Sequence, residues 1–472
     1  MTELLEEKMG IVSDLDFIKE EIRAFQFSRK YSEMTAGMRY FLGEHDIKNH
    51  QRMVIGANGE LEEVSNIPNH KIVDNQYKKM VVQKTNYLVG KPISFVAKNE
   101  AYQKLVTKLI GKRFLRTLRN ICEDALNCGV GWLFVNYDEK GEFFAKRFDP
   151  REIIPGWADS DHTTLDYIIR LYEVVGYQGS TKVVIEKVEI YDKTGVSFFE
   201  ITGDGNLIPI APYHQPYFLA YTKNSADEEE MEAVPCNWQS VPFIPFKYNS
   251  KEISLIRSVK TLQDGINLIT SSFLNALEED ARNTILVLVN YEGENLGEFR
   301  RNLATYGAVK VRSDEAGKGE VKTLNVEVDS GNYQVILEIF KKALIENGMG
   351  FDAKDDRLHA NANQMNIQSM YSDIDLDANG METEFQASLA ELLEFAKYHF
   401  VNSGLGDFSE EEIQIIFNRD MLMNESGIIE NCCKSVGVLS EETIVANHPW
   451  TADPKRELEQ IVKEREGFSF EE

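Results

Sequence analysis

Between residues 253 and 277 the apolar side chains Ile253, Ile256, Val259, Leu262, Ile266, Ile269, Phe273 and Leu277 recur every three or four positions. Such spacing keeps one stripe of a single amphipathic helix apolar for about seven turns and leaves a polar face opposite. A second helix returns through Tyr333, Ile336, Leu337, Phe340 and Leu344 and stops at Gly348 and Gly350. Between the two lie ILVLVNY (285–291), AVKVRS (308–313) and EVKTLNVEV (320–328), short strands joined by a hydrophilic, Gly-containing turn at 314–319. The fold class must therefore accommodate two long helices with a small β module inserted between them.

Upstream, S-D-L-D from Ser13 predicts a helix start, and Phe17, Ile18, Ile22 and Phe25 continue it at helical spacing. A second helix is predicted over 32–42, running into YFLGEHDI. Pro68-Asn69-His70-Lys71 is read as opening a third, through Val81, Val82 and Tyr87 to the Gly90-Lys91-Pro92 stop. One more helix is expected at about 102–127. The text then changes to strands: WLFVNYD, FFAKRFD, YIIRLYEV, KVVIEKVEIYD and VSFFEIT. The acidic run 227–232 reads as an exposed loop, because like charges cannot pack together.

Residues 352–366, DAKDDRLHANANQMN, lack apolar periodicity and read as a loop. A long helical pattern follows from about Ile367 to Val401, with a kink or break expected near Asn379-Gly380. The tail offers a strand IQIIF (413–417), a helix near 425–436, a Ser440-capped helix and a last helix introduced by Asp453-Pro454. The whole is an α+β chain of several domains.

Carboxylates outnumber Lys plus Arg by 77 to 51, a formal charge of -26, which argues against a protein that grips nucleic acid along a basic stripe. Five cysteines with no CxxC pair and no Cys/His cluster at zinc spacing read as a reduced, intracellular chain. The N-terminal residues carry no basic segment followed by an apolar one, and the longest strictly apolar run, Ile285–Val289, is far too short to cross a bilayer.

No GxxxxGK[ST], HExxH, GxSxG, GxGxxG or EF-hand pattern occurs, and Gly90-Lys91-Pro92 places Pro where a phosphate-binding amide would be needed. Asp373, Asp375 and Asp377 alternate in DIDLD. In an extended chain they suggest a metal cluster; on a helix they point three ways and read as a solvated helix start. Cys432-Cys433 reads as packed thiols, and His359 and His448 are isolated. No metal, cofactor or catalytic residue is assigned. The enzymatic alternative is an acidic nucleic-acid-processing enzyme or scaffold with a dispersed metal site.

One string is specific. Asn86-Tyr87-Leu88-Val89-Gly90-Lys91-Pro92-Ile93-Ser94-Phe95 resembles the NYLxGKPIxF signature of the portal family found in long-tailed phages of Gram-positive bacteria. Other marks fall in the family's order: YFLGEHDI, GVGW (129–132), FDPREIIP (148–155), VPFIPF (241–246), QSMYSDIDLDANGME (368–382) and ETIVANHPWTADPKRELE (442–459). The match departs at the loop, where many relatives carry Ser-Gly and this chain has Asn366-Ile367-Gln368.

This resemblance implies a non-enzymatic subunit of a homo-oligomeric ring, usually twelve-fold, at the capsid vertex. The ring would conduct double-stranded DNA during packaging and ejection. It further implies the division 1–250 wing, 251–282 stem, 283–329 clip, 330–350 second stem helix, 351–366 tunnel loop, 367–425 long wing helix and returning strand, and 426–472 helical crown. Lys354, Arg357, His359, Asn361 and Asn363 would face DNA in the tunnel loop. Asn86, Tyr87, Leu88, Gly90, Lys91 and Pro92 would be structural. Implied partners are the terminase large subunit, major capsid and scaffolding proteins and a head-completion adaptor, with no membrane. The implied location is the virion, after assembly in the host cytoplasm.

Overall fold

The computed structural model describes residues 15–446 except 56–58, 64–66, 225–226, 283–284, 290–312, 315–316, 319, 325–329, 353–363 and 420–424, and beyond them 448, 450–451 and 454–468. Helices α1 (Leu15–Gln26) and α2 (Arg29–Phe41) precede a small hairpin of β1 (Met53–Ile55) and β2 (Leu61–Glu63). Then come α3 (Gln76–Val89), β3 (Ser94–Ala97), α4 (Glu100–Leu109) and α5 (Lys112–Cys128). The β-rich middle runs through β4 (Val130–Tyr137), β5 (Phe143–Phe148), β6 (Ile153–Trp157), β7 (Leu165–Gln178), β8 (Thr181–Asp192), β9 (Gly195–Ile201), β10 (Leu207–Gln215), β11 (Phe218–Asn224), β12 (Asp227–Cys236) and β13 (Phe243–Lys247). Helix α6 (Leu255–Arg282) is followed by β14 (Ile285–Val289), β15 (Ser313–Asp314), β16 (Gly317–Lys318) and β17 (Glu320–Leu324), then α7 (Ser330–Asn347). The chain closes with α8 (Gln364–Asn402), β18 (Ile413–Ile416), α9 (Glu425–Lys434), α10 (Glu441–Ala446) and α11 (Pro454–Phe468). Helices and small sheets together make an α+β fold, as the sequence implied. No helix among the described residues is long and apolar enough to cross a membrane.

Two compact units form: Met1–Phe41, Tyr77–Ser258 and Ile345–Glu472 make the first, and Leu42–Gln76 with Val259–Leu344 the second. In the first, an antiparallel meander in the order β10-β9-β8-β7-β6 buries Ile154, Ile169, Val188, Ile190, Phe199 and Leu207 against Ile18 and Ile22 of α1. Periodicity missed β6 and β10 because Pro155, Gly156, Pro209 and Pro212 interrupt them. Both are the edge strands, where a missing N–H leaves no ladder bond unmade. A three-stranded sheet, β13-β4-β5, carries the buried run VGWLFV of β4 against α5. Gly131 is needed there, since a Cβ would stand 2.6 Å from the carbonyl oxygen of Ile121. Phe246 of β13 meets Phe385 of α8 edge-on at 5.1 Å, and β18 pairs antiparallel with β3.

Several expectations are corrected within this unit. The helix read over 102–127 is two, α4 and α5, divided at Ile110-Gly111. The long helix starts at Gln364 and runs unbroken through Asn379-Gly380 to Asn402. An interior glycine costs about 1 kcal/mol, and burial of Ala378, Met381 and Phe385 on either side outweighs it. The acidic stretch 227–232 lies in β12, paired with β11, because a run of like charge opposes burial without opposing backbone pairing. Of the vicinal thiols only Cys432 is packed; Cys433 is exposed. Ser440 does cap α10, its Oγ accepting from the Thr443 amide at 3.3 Å.

The second unit is organised by the polar face of α6. Gln263, Asn267, Ser271 and Asn275 follow one another four residues apart and are all buried. The amides of His70, Ile72 and Asp74 donate to Asn275 Oδ1 (2.7 Å), Ser271 Oγ (2.9 Å) and Asn267 Oδ1 (3.0 Å), and Gln263 Nε2 donates to the Asp74 carbonyl (2.7 Å). Four helical residues rise about 6 Å and two extended residues about 6.6 Å. The helix side chains therefore stand in for a neighbouring strand. This corrects two readings. Residues 68–75 form neither helix nor strand and α3 begins only at Gln76, because the amides that would start an earlier helix are taken by α6. The side away from the apolar stripe is polar, as expected, yet Gln263, Asn267, Ser271 and Asn275 on it are closed to solvent, while Thr261 stays exposed. On the returning helix Phe340 packs at Gly265, where a Cβ would lie 2.4 Å from the ring, and Lys341 pairs with Asp74 at 2.7 Å. Strands form within 285–291 and 320–328 as predicted, and β14 and β17 pair with each other, while 308–312 of the AVKVRS strand lie outside the described residues.

The amides of His70, Ile72 and Asp74 should exchange slowly with deuterium. Asn267→Ala, which strips the acceptor from a buried N–H, should speed exchange at Asp74 and lower stability by about 1–3 kcal/mol. Thr261→Ala on the exposed side of α6 should change neither, as read by hydrogen-exchange mass spectrometry and urea denaturation.

Candidate functional site

The signature string begins on α3, whose inward face repeats at Tyr77, Met80, Val81, Lys84, Thr85 and Leu88. Every position in that register is buried, so Lys84 is an ammonium in a core position, 3% exposed at the side chain. Its Nζ donates to Asp377 Oδ2 at 2.6 Å and to the carbonyl of Met349 at 3.0 Å. Burial pulls the Lys84 pKa below its ordinary value, and the Asp377 carboxylate opposes that pull. Tyr248 Oη donates to the other oxygen of Asp377 at 2.8 Å, and burial, reinforced by that carboxylate, pushes the phenol well up.

One turn further, Tyr87 Oη donates to Asp375 Oδ1 at 3.0 Å. Arg419 Nη1 reaches the same oxygen at 2.6 Å and Asn379 Oδ1 at 2.7 Å, while its Nη2 pairs with Glu382. Desolvation, with the Asp375 bond adding to it, pushes Tyr87 up to about 12. The Tyr87 ring lies 5.9 Å from Tyr371, and Tyr371 stacks on Phe351 at 4.3 Å. Gln83 Nε2 donates to the Phe351 carbonyl at 3.1 Å. Met349 takes a left-handed φ of 49° that turns its carbonyl end into this cluster.

The rest of the string closes the element. Asn86 Oδ1 accepts from Arg119 Nη2 at 2.8 Å. Leu88 is buried. Gly90 lets the chain turn against its own helix, because a Cβ would stand 2.2 Å from the Asn86 carbonyl oxygen. The Pro92 carbonyl accepts from Asn418 Nδ2 at 2.6 Å, and Lys91 is exposed. Phe95 enters a core with Tyr102, Val106, Leu393, Ala396 and Phe400.

This arrangement is built of ion pairs, hydrogen bonds and ring packing. It clamps the two chain segments that flank residues 353–363: Met349–Phe351 before them and Tyr371–Asp377 after them, both gripped by α3. Lys354, Arg357, His359, Asn361 and Asn363 themselves lie outside the described residues. The DIDLD aspartates are on a helix, as read, though inside it and not at its start; Asp373 is solvated, Asp375 is half exposed and Asp377 is largely buried. Asp375 and Asp377 are engaged by Arg419, Tyr87, Lys84 and Tyr248, and among the described residues no three His, Cys, Asp or Glu side chains are grouped to hold a metal ion. Sequence reading missed Lys84, Tyr371 and Arg419. The signal for Lys84 was present, as a lysine in the apolar register of α3; nothing local announces Arg419.

A family model described as phage portal protein, SPP1 Gp6-like, matches residues 25–468. The chain belongs to that phage portal protein family. Its similarity extends to the portal protein of Bacillus phage SPP1, 29% identical over 436 residues, covering 92% of this chain and 84% of the relative. The portal protein of Clostridium phage phiCD119 is 28% identical over 465 residues, covering 94% of this chain and 96% of the relative. In this portal-family chain α3 joins both segments: Gln83 and Lys84, just before the signature, reach Phe351, Met349 and Asp377, and Tyr87 within it reaches Asp375.

Replacing Lys84 by Met leaves Asp377 without its cation in a buried site. Removing one partner of such a pair costs about 3–5 kcal/mol. Urea denaturation should show a loss in that range for Lys84→Met, and the double variant Lys84→Met with Asp377→Leu should recover part of it.

Proposed function

We propose that the protein is one subunit of a homo-oligomeric ring at the capsid vertex, with twelve copies as the family resemblance implies, through which double-stranded DNA enters and leaves the head. The observation that carries this reading is the family match over nearly the whole chain. In this reading the two long helices and the strands between them are stem and clip, the meander and α8 belong to the wing, and the residues after 425 form the crown. Residues 353–363, held at both ends by the clamp, are the tunnel loop. Lys354, Arg357, His359, Asn361 and Asn363 touch the phosphates briefly. The protein performs no reaction; a terminase large subunit supplies the force, and capsid, scaffolding and head-completion proteins dock on the ring.

Electrostatics suits such a conduit. A wall that held six to ten phosphates would bind tightly and stall the duplex, whereas a chain of formal charge -26 does not. A stripe on α7 supports self-association. Val335, Ile336 and Ile339 share one side of the helix and are 54%, 44% and 59% exposed. Clustered exposed apolar residues of this kind mark interaction surfaces, and a neighbouring copy would cover them.

Native mass spectrometry at micromolar concentration over a range of salts should show one closed oligomer. Val335→Asp with Ile339→Asp should shift it to smaller species while circular dichroism stays unchanged. A wild-type chain that gives only monomer or dimer would contradict the reading.

A further inference from the structure

Residues 101–122 contain six basic side chains, Lys104, Lys108, Lys112, Arg113, Arg116 and Arg119, and no acidic one. In a chain with 77 carboxylates that stretch stands out. It forms α4 and the first half of α5. On α5, Phe114, Leu118, Ile121 and Cys122 are buried, and the positions left exposed between residues 113 and 120 are Arg113, Arg116 and Arg119. Elsewhere, Arg23, Arg29, Arg147, Arg151, Arg170 and Arg419 each pair with a carboxylate. Among the described residues Arg113 and Arg116 have no such partner, and Arg119 bonds the neutral amide of Asn86.

On α4, Lys104 pairs with Glu100 at 3.4 Å and Lys108 lies in the last turn, where the macrodipole favours a cation; the α5 charges do not serve their helix. Lys112 and Arg113 occupy the first turn of α5, which holds no acidic residue, although the macrodipole favours carboxylates there and disfavours cations. A sequence that breaks a local preference without a compensating contact points to a use outside the fold. Arginines three residues apart stand roughly 5–6 Å from one another on the helix surface, and each guanidinium offers a planar fork to two phosphate oxygens at once.

We propose that the exposed arginine face of α5, Arg113, Arg116 and Arg119, with Lys104 and Lys108 of α4 beside it in sequence, is a docking surface for the phosphate backbone of double-stranded DNA. The assignment deepens the conduit reading and rests on it for the identity of the polyanion. Duplex DNA carries one charge per about 1.7 Å of its axis, a density well matched to several forks on one surface. The face is a holding site, separate in the sequence from residues 353–363, where contacts must be brief. It also revises what the net charge alone implied: the excess of carboxylates coexists with one local cationic surface.

The test is fluorescence anisotropy of a labelled random-sequence duplex with the full-length protein between 50 and 200 mM salt, with native mass spectrometry of the same samples. The wild-type chain should bind, with affinity falling steeply as salt rises. The triple variant Arg113→Gln, Arg116→Gln, Arg119→Gln should bind at least tenfold more weakly at 100 mM salt, with the log–log salt slope shallower by about 2 to 3, near 0.9 for each lost phosphate contact. Its oligomer should be unchanged. Arg→Lys at the same three positions should restore most of the binding. Wild-type affinity and slope in the Gln variant would overturn the proposal. So would loss of the oligomer in that variant, which would make the arginines a subunit contact. Displacement by polyglutamate as effective, charge for charge, as by unlabelled duplex would overturn it in favour of an acidic protein. A chain that forms no ring yet binds duplex through these arginines would sink the ring reading and leave this one standing.

Discussion

A buried ammonium has to be neutralised where it lies, and that constraint orders the middle of the first unit's helical core. Lys84 occupies a core position of α3, so its charge is held only if Asp377 and the Met349 carbonyl arrive together. Those groups come from chain segments separated from Lys84 by more than 260 residues. Once they are fixed, the Tyr87, Tyr371 and Phe351 rings close in succession, and Arg419 locks the outer side through Asp375 and Glu382. An ion pair buried in this way is weak evidence of added stability, because desolvation offsets much of its attraction. What the ion pair adds is uniqueness, because only one register of α8 against α3 satisfies both aspartates.

The same logic recurs on α6, with neutral groups in place of charges. Four polar side chains in the interior would be a liability if any were left unmatched. They are matched by residues 70–74, whose amide spacing fits the helical rise. Both devices tie a distant stretch of chain to one position along a helix. A long helix such as α6 needs such registration, since an apolar stripe alone permits sliding.

Elements with their own periodicity were legible in the sequence: the stripes of α6 and α7, the strands β4, β5, β7, β8 and β9, the Ser440 cap. Elements fixed by distant partners were not. Residues 70–74 carry no local sign that Asn267, Ser271 and Asn275 will take their amides. Pro155 and Pro209 hid two strands that survive only because they are edges. At the clamp, NYLVGKPISF marked the family, and Lys84 in an apolar register marked a buried pair. The partners of that lysine were out of reach, because DIDLD shows three aspartates and not which of them a cation will meet. The DIDLD reading was right about the helix, wrong about its start and wrong about solvation for Asp377.

In the reading proposed above, residues 353–363, whose two flanks α3 clamps, line an opening. Electron microscopy of the assembled protein viewed down its symmetry axis tests this most directly. The account predicts a closed ring with a central passage wide enough for duplex DNA and residues 353–363 of every subunit facing it. A particle with no passage, or with those residues on its outer surface, would contradict it.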